Sequence, residues 1–180
     1  MVKSNKVTIR RLGTDDVEAW RAIRLEALKG SPEAFGQSYE HAVAQPNEHF
    51  LRGVSGPHPI FAAFAGGTAV GTAAFYVMDG PKVAHRGMLW GMYVAPNHRG
   101  TGLARRLIET VIEHATPLVE QIHLHVVTTN PTAYSLYRRM GFVAYGIEPR
   151  ALRYQGRDYD ETLMVRTLGR GVDPKPTSSP

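Results

Sequence analysis

The chain has 180 residues, 43% of them hydrophobic, enough to bury one sizeable core. It contains no cysteine, which excludes disulfides, Cys-ligated zinc and a thiol nucleophile, and no apolar run approaches the roughly 20 residues that cross a bilayer. Its 21 Lys and Arg outweigh 16 Asp and Glu, for a formal net charge of +5 and a pI near 9.6, a balance that suits an anionic small ligand.

In chain order, the polar start Met1 to Lys6 lacks a secretory apolar stretch, so a cytoplasmic location is expected. Val7 to Arg11 alternates as a short strand. Thr14-Asp15-Asp16 offers helix-capping oxygens, and Val17, Trp20, Ile23, Arg24, Ala27 and Leu28 then recur at helical spacing up to Gly30-Ser31-Pro32. Residues 33–58 show no sustained period, apart from a short helical stretch near Asn47 to Val54. Ile60 to Ala65, the Gly66-Gly67 turn and Thr68 to Met78 form a predicted hairpin. Ala84 to Val94 reads as a strand, Pro96 to Gly100 as a loop, and Leu103 to Ala115 as a helix with Leu103, Leu107, Val111 and Ala115 on one face. Gln121 to Val127 is a predicted strand, Pro131 to Met140 a helix opening on proline, and Phe142 to Ile147 and Glu161 to Leu168 are strands.

This pattern implies a mixed α/β chain with a central sheet, a single domain over residues 1–168, and a disordered tail over 169–180 that is rich in Pro, Ser and Thr. The basic residues fall in pairs (Arg10-Arg11, Arg105-Arg106, Arg138-Arg139) rather than one block, and no nucleic-acid motif accompanies them. No nucleic-acid partner and no membrane is expected.

Val94 to Ala104 stands between a strand and a helix. A helix start leaves N–H groups without partners and carries a partial positive charge, and Gly100 and Gly102 remove the Cβ atoms that would hold a phosphate away. Such a segment is suited to grip a di- or polyphosphate, although a Gly-x-Gly taken alone is more often an ordinary strand-to-helix turn that uses glycine for tightness. Two other phosphate loops fail here: Gly102 is followed by Leu103 rather than Lys, and the third glycine of a dinucleotide fingerprint is Arg105.

What does fit is Arg99-x-x-Gly102-x-Ala104, which resembles the phosphate-loop signature of the GNAT acetyltransferases. Met92-Tyr93-Val94-x-Pro96 upstream resembles that family's strand into the loop. Asn130-x-x-Ala133-x-x-x-Tyr137-x-x-x-Gly141-Phe142 downstream resembles its second motif. The resemblance follows the element order over roughly residues 6 to 168 and is specific over 88 to 142. It implies a mixed central sheet of six to seven strands flanked by about four helices.

It also implies acetyl-CoA as co-substrate and acetyl transfer to a primary amine, by direct attack through a tetrahedral intermediate. Arg99, Gly100, Thr101, Gly102, Leu103 and Ala104 would surround the pyrophosphate. Met92, Tyr93 and Val94 would offer backbone contacts where two strands splay at a bulge, and Asn130 and Tyr137 would reach the pantetheine arm and the sulfur. Tyr137 would then protonate the leaving thiolate as general acid, and a backbone N–H at Met92 or Tyr93 would hold the oxyanion. The carboxylate base that many members carry near Gly91 is missing from Leu89-Trp90-Gly91-Met92. In relatives that acetylate ribosomal-protein N-termini, a Glu occupies a place that here belongs to His125, in Leu124-His125-Val126. His125 is therefore one candidate base; a polar strand residue in step with His123, or a water chain, are the others.

The family's acceptor side points to Glu33, Phe35, Tyr39 and Trp90, where acidic groups would attract a cationic amine. His41, His49, His58 and His85 lack metal-ligand spacing, and no metal is expected. A monomer or homodimer acting on a small-molecule or peptide amine is the resulting picture. A catalytically idle acyl-CoA-binding sensor is the alternative.

Overall fold

A seven-stranded sheet in the order β1-β2-β3-β4-β5-β7-β6 runs through the computed structural model, which describes residues 7–169. The expected tail beyond Gly169 lies outside the described residues. The strands are β1 (Thr8–Arg11), β2 (Ile60–Ala65), β3 (Thr68–Val77), β4 (Arg86–Val94), β5 (Gln121–Val127), β6 (Val143–Tyr154) and β7 (Arg157–Thr167). Every pairing is antiparallel except β4 with β5. The helices are α1 (Val17–Gly30), α2 (Tyr39–Val43), α3 (Asn47–Ser55), α4 (Leu103–Ala115) and α5 (Pro131–Arg139), joined by short 3-10 turns.

The sheet is covered on both sides, which is why β2 reads as a continuous apolar run rather than an alternation. On one face Leu103, Leu107, Ile108 and Val111 of α4 and Tyr137 of α5 pack with Ile122, Leu124 and Val126 of β5. On the other, Trp20, Ile23 and Ala27 of α1 and Phe50 and Val54 of α3 pack on Ile60, Ala62 and Tyr93. At α1 the 3.6-residue spacing fixes this burial, and Leu28 is fully enclosed.

Three expectations shift. Residues 39–43 form a short helix capped by Ser38 Oγ, which accepts from the His41 N–H at 3.1 Å. The strand expected from Ala84 begins at Arg86, because Val83 N–H and Ala84 N–H both donate to Gly80 C=O in a turn. The last two strands are much longer than expected and meet in a hairpin closed by Gln155 and Gly156, at φ +49° and +76°. Pro149 and the dense charge between Glu148 and Asp160 hide that hairpin from a search for apolar alternation.

Candidate active site

Gly100 and Gly102 both sit at left-handed φ, +75° and +79°, which a side chain would strain. A Cβ built at either would meet no atom within 4 Å, so the space above the loop is open to a ligand. Gly102 is the N-cap of α4, and the first intrahelical bond runs from Arg106 N–H to Gly102 C=O at 3.2 Å. That leaves the N–H groups of Leu103, Ala104 and Arg105 as the helix's orphan donors, with no acidic side chain in the first turn to oppose an anion. Leu103 is buried and anchors the helix start, while Thr101 Oγ1 donates to His98 C=O at 2.7 Å and closes the loop. Arg99 Nε donates to Val94 C=O at 3.0 Å, tying the loop back to the end of β4. The loop residues Arg99 to Ala104 thus form one cradle whose donors and charge fit a pyrophosphate.

β4 enters this loop through a bulge. Thr72 pairs with Tyr93 and Ala74 with Trp90, so Gly91 and Met92 oppose the single residue Ala73. Gly91 stands at φ +61°, and its carbonyl accepts from Thr72 Oγ1 at 2.9 Å. On its other side β4 pairs with β5 only from Arg86↔Gln121 to Met88↔His123. Beyond that register the strands part, and Met92 has no ladder partner on either neighbour. Tyr93 keeps its side chain inside: its hydroxyl donates to Glu26 Oε1 at 3.0 Å, and burial pushes the phenol's pKa up. Only the backbone of Tyr93 is left for a ligand in the cleft, as for the buried Val94.

Asn130 caps α5, its Oδ1 accepting from Ala133 N–H at 3.0 Å. The cap absorbs the carbonyl end of the amide and turns Nδ2 into its remaining polar contact point. One helical face carries Asn130, Ala133 and Tyr137 (i, i+3, i+7), so the cap and the phenol line up along one side. Tyr137 is 7% exposed, stacks edge-on with Phe142 at 5.9 Å, and has its pKa raised by burial. Its hydroxyl has no hydrogen-bond partner among the described residues. It is nonetheless not one of the fully enclosed unpartnered polar atoms, which are Arg21 Nε and Trp90 Nε1.

Leu124 and Val126 point into the α4/α5 core, so strand alternation turns His125 to the opposite face. There its Nδ1 lies 3.5 Å from Glu161 Oε2 of β7, with Glu148 of β6 paired directly to Glu161. Glu161, then Glu148, favour the imidazolium and raise the His125 pKa. His123 behaves oppositely: it is buried, accepts from Arg86 Nε at 3.2 Å, and is pushed down to about 4 by burial first and Arg86 second. The two histidines share a face and have separate chemistry. His125, Glu148 and Glu161 also bring one ligand atom each within 4.8 Å of one another, a spacing that a divalent cation would accept. The grouping leaves no spacing signature in the sequence, because three different strands supply the atoms.

On the acceptor side the structure gathers Phe35 and Trp90 but not the acids. Both rings flank the guanidinium of Arg24, at 5.1 and 5.8 Å. Tyr39 instead lies under Lys29 Nζ at 5.8 Å, and Glu26 is taken by Tyr93. Glu33 sits half-buried in the 3-10 turn Pro32–Ala34, which packs against β5 and β6. Among the described residues no acid lines the cavity that Trp90 borders; Arg24, read from the sequence only as one member of an apolar helical stripe, occupies that place. A cavity of about 450 Å³ lies apart from the loop, between β5, α5 and β6 near Tyr134 and Ile147.

The Acetyltransferase (GNAT) family model matches residues 20–142. The N-alpha-acetyltransferase RimI of Mycobacterium tuberculosis is 27% identical over 152 residues, covering 84% of this chain and 88% of that protein. A spermidine N(1)-acetyltransferase of Vibrio cholerae is 38% identical over 82 residues, 44% of this chain; the match spans about half, 47%, of that relative. The solved structure of yncA from Salmonella typhimurium, which holds its cofactor acetyl-CoA, superposes with a TM-score of 0.79 at 22% identity over 95% of this chain and 99% of that one. Among the described residues no helix is long and apolar enough to cross a membrane.

Proposed function

This chain belongs to the GNAT acetyltransferase family, and from that premise we propose that it moves an acetyl group from acetyl-CoA to a primary amine by direct attack, with Tyr137 as acid and His125 as base. One observation carries the reading. The strand that leads into the glycine cradle is also the strand that bulges at Gly91 and loses its partner β5 beyond Met88, so the parting of β4 from β5 runs toward the phosphate donors and leaves Met92 outside both ladders. Acetyl-CoA supplies the activated thioester; the yncA structure, similar in fold, holds that molecule.

The chain's own groups then divide the work. The orphan N–H donors of α4 hold the pyrophosphate, and the Arg99–Val94 bond keeps the loop in register with β4. The Met92 N–H is the donor for the oxyanion that develops on the carbonyl. Tyr137, held protonated by burial, gives its proton to the departing sulfur. His125, oriented by Glu161, takes the proton released by the amine, directly or through water. The relatives named as a spermidine N(1)-acetyltransferase and an N-alpha-acetyltransferase are consistent with an amine acceptor.

An amine panel with acetyl-CoA, read by thiol release, tests this reading. Thiol release that depends on an amine and drops in Tyr137→Phe is the expected result. Saturable CoA binding without turnover on any amine would instead make the chain an acyl-CoA sensor.

A further inference from the structure

Arg24 is 9% exposed, and among the described residues it has no carboxylate partner. Its only polar contacts among those residues are two bonds to one neutral acceptor, Nε and Nη2 donating to Gln37 Oε1 at 3.3 and 3.1 Å. The remaining nitrogen, Nη1, has no acceptor among the described residues. Trp20, Phe35 and Trp90 flank the guanidinium with ring centroids 5.1 to 6.0 Å away. Burial lowers the Arg24 pKa to about 10, and no nearby charge counters that shift. A buried charge is normally paired, because its desolvation is otherwise uncompensated.

A second donor is left over beside it. Trp90 Nε1 is fully enclosed and has no partner among the described residues, although a buried indole N–H normally finds one. Arg24 and Trp90 both line one cavity of about 240 Å³, with Trp20, His49, Arg52 and His58 among its walls and no Asp or Glu; the enclosed Nε1 lies behind that wall and reaches a ligand after a small rotation of the indole. Two unsatisfied donors, one charged, in a cavity without an acid describe a place for an anion. The planar guanidinium and a nearby N–H match a carboxylate. Trp90 immediately precedes the Gly91 bulge and stands two residues, about 7 Å of strand, before Met92.

We propose that this cavity is the acceptor's carboxylate subsite, with Arg24 and Trp90 Nε1 receiving the carboxylate of an amine of amino-acid type. This rests on the acetyltransferase reading for the identity of the ligand, while the carboxylate-binding site itself stands on the geometry alone. Gln37 holds the guanidinium in place and leaves Nη1 for the ligand. The aromatic walls exclude water and strengthen the ion contact.

Trp20 and Trp90 are the chain's only two tryptophans, and both line the cavity, so intrinsic fluorescence reports binding without any turnover. The probe is N-acetyl-L-alanine, with its carboxamide as the uncharged match; neither is itself an acetyl acceptor. The wild-type protein is expected to show a saturable fluorescence change with the acid, and about tenfold or more weaker binding of the amide. Arg24→Met is expected to melt at or above the wild-type temperature, since an unpaired buried charge has been removed, and to lose discrimination between acid and amide. Trp90→Phe keeps the ring, leaves Trp20 as reporter, and is expected to weaken acid binding several-fold; it decides the matter if Arg24→Met fails to fold. Equal binding of acid and amide, equal binding of sulfate and the acid, or acid binding untouched in Trp90→Phe overturns the proposal. Acetyl-CoA binding, followed separately by thermal shift, divides the two failures. If acetyl-CoA binds and uncharged amines are acetylated while the acid does not bind, the subsite alone falls. If the acid binds and acetyl-CoA does not, the enzyme reading falls.

Discussion

His125 Nδ1 and Glu161 Oε2 lie 3.5 Å apart on diagonal positions of neighbouring antiparallel strands, Val127 being the residue directly opposite Glu161. Glu148 faces Glu161 across the next pair, a like-charge opposition that an imidazolium relieves. The raised His125 pKa follows, with Glu161 as its main cause. For catalysis the sign is definite. A base must be neutral, so turnover should rise with pH through a limb lying above the usual histidine value of about 6.5. Glu161→Gln keeps the shape and removes the charge, and should move that limb to lower pH; His125→Ala should abolish it. A pH–rate profile of thiol release decides, and a limb that stays put in both variants would make water the base.

Tyr137→Phe retains the ring contact with Phe142 and deletes a hydroxyl that bonds no described residue. Thermal stability should therefore change little, and CoA affinity should survive. Turnover should fall by roughly 10²–10⁴, the range for a lost general acid. If melting temperature and CoA affinity drop together instead, the hydroxyl serves packing rather than proton transfer.

His123 predicts a stability effect of the opposite pH sense from His125. Its folded pKa, about 4, lies below the unfolded value near 6.5, so the unfolded chain binds the extra proton between those values. Its contribution is fully present above about pH 6.5 and is lost as pH falls toward about 4. The raised His125 contributes below about 6.5 and loses that contribution as pH rises through its folded pKa. Melting temperatures at pH 7 and 5 should thus differ less in His123→Gln than in the wild type. An unchanged difference would mean that His123 titrates normally.

The parts of the site that the sequence made readable are those whose atoms come from one continuous segment. The cradle needs only the order strand, Arg99, Gly100, Gly102, helix, and α5 needs only the i, i+3, i+7 spacing from Asn130 to Tyr137. The acceptor side was opaque because its parts come from separate elements: Arg24 from α1, Gln37 from a loop, Trp90 from β4. A signal existed, since Arg24 stands inside the apolar stripe of Trp20, Ile23, Ala27 and Leu28, where a charge is out of place. The His125 cluster was hidden in a comparable way. Glu148 and Glu161 reach it only through the β6–β7 hairpin, whose charged strands show no apolar alternation and whose turn is Gln155-Gly156 rather than Asn-Gly.

The loop itself gives the prediction that separates backbone geometry from side-chain bulk. Gly102 is left-handed at φ +79°, and a Cβ there would touch nothing within 4 Å. A substitution therefore meets no steric wall within the protein. Its cost is the backbone strain of an L-residue in that conformation, about 1–2 kcal/mol, or a rotation that re-aims the N–H groups of α4. Gly102→Ala should lower stability by about that amount and weaken CoA binding through the altered donors. Gly102→Val adds a branched side chain in the space left for the pyrophosphate, so CoA affinity should fall further while stability falls little more. Calorimetric CoA titration beside thermal unfolding of both variants separates the two contributions. Wild-type affinity in Gly102→Val would remove the pyrophosphate from this loop.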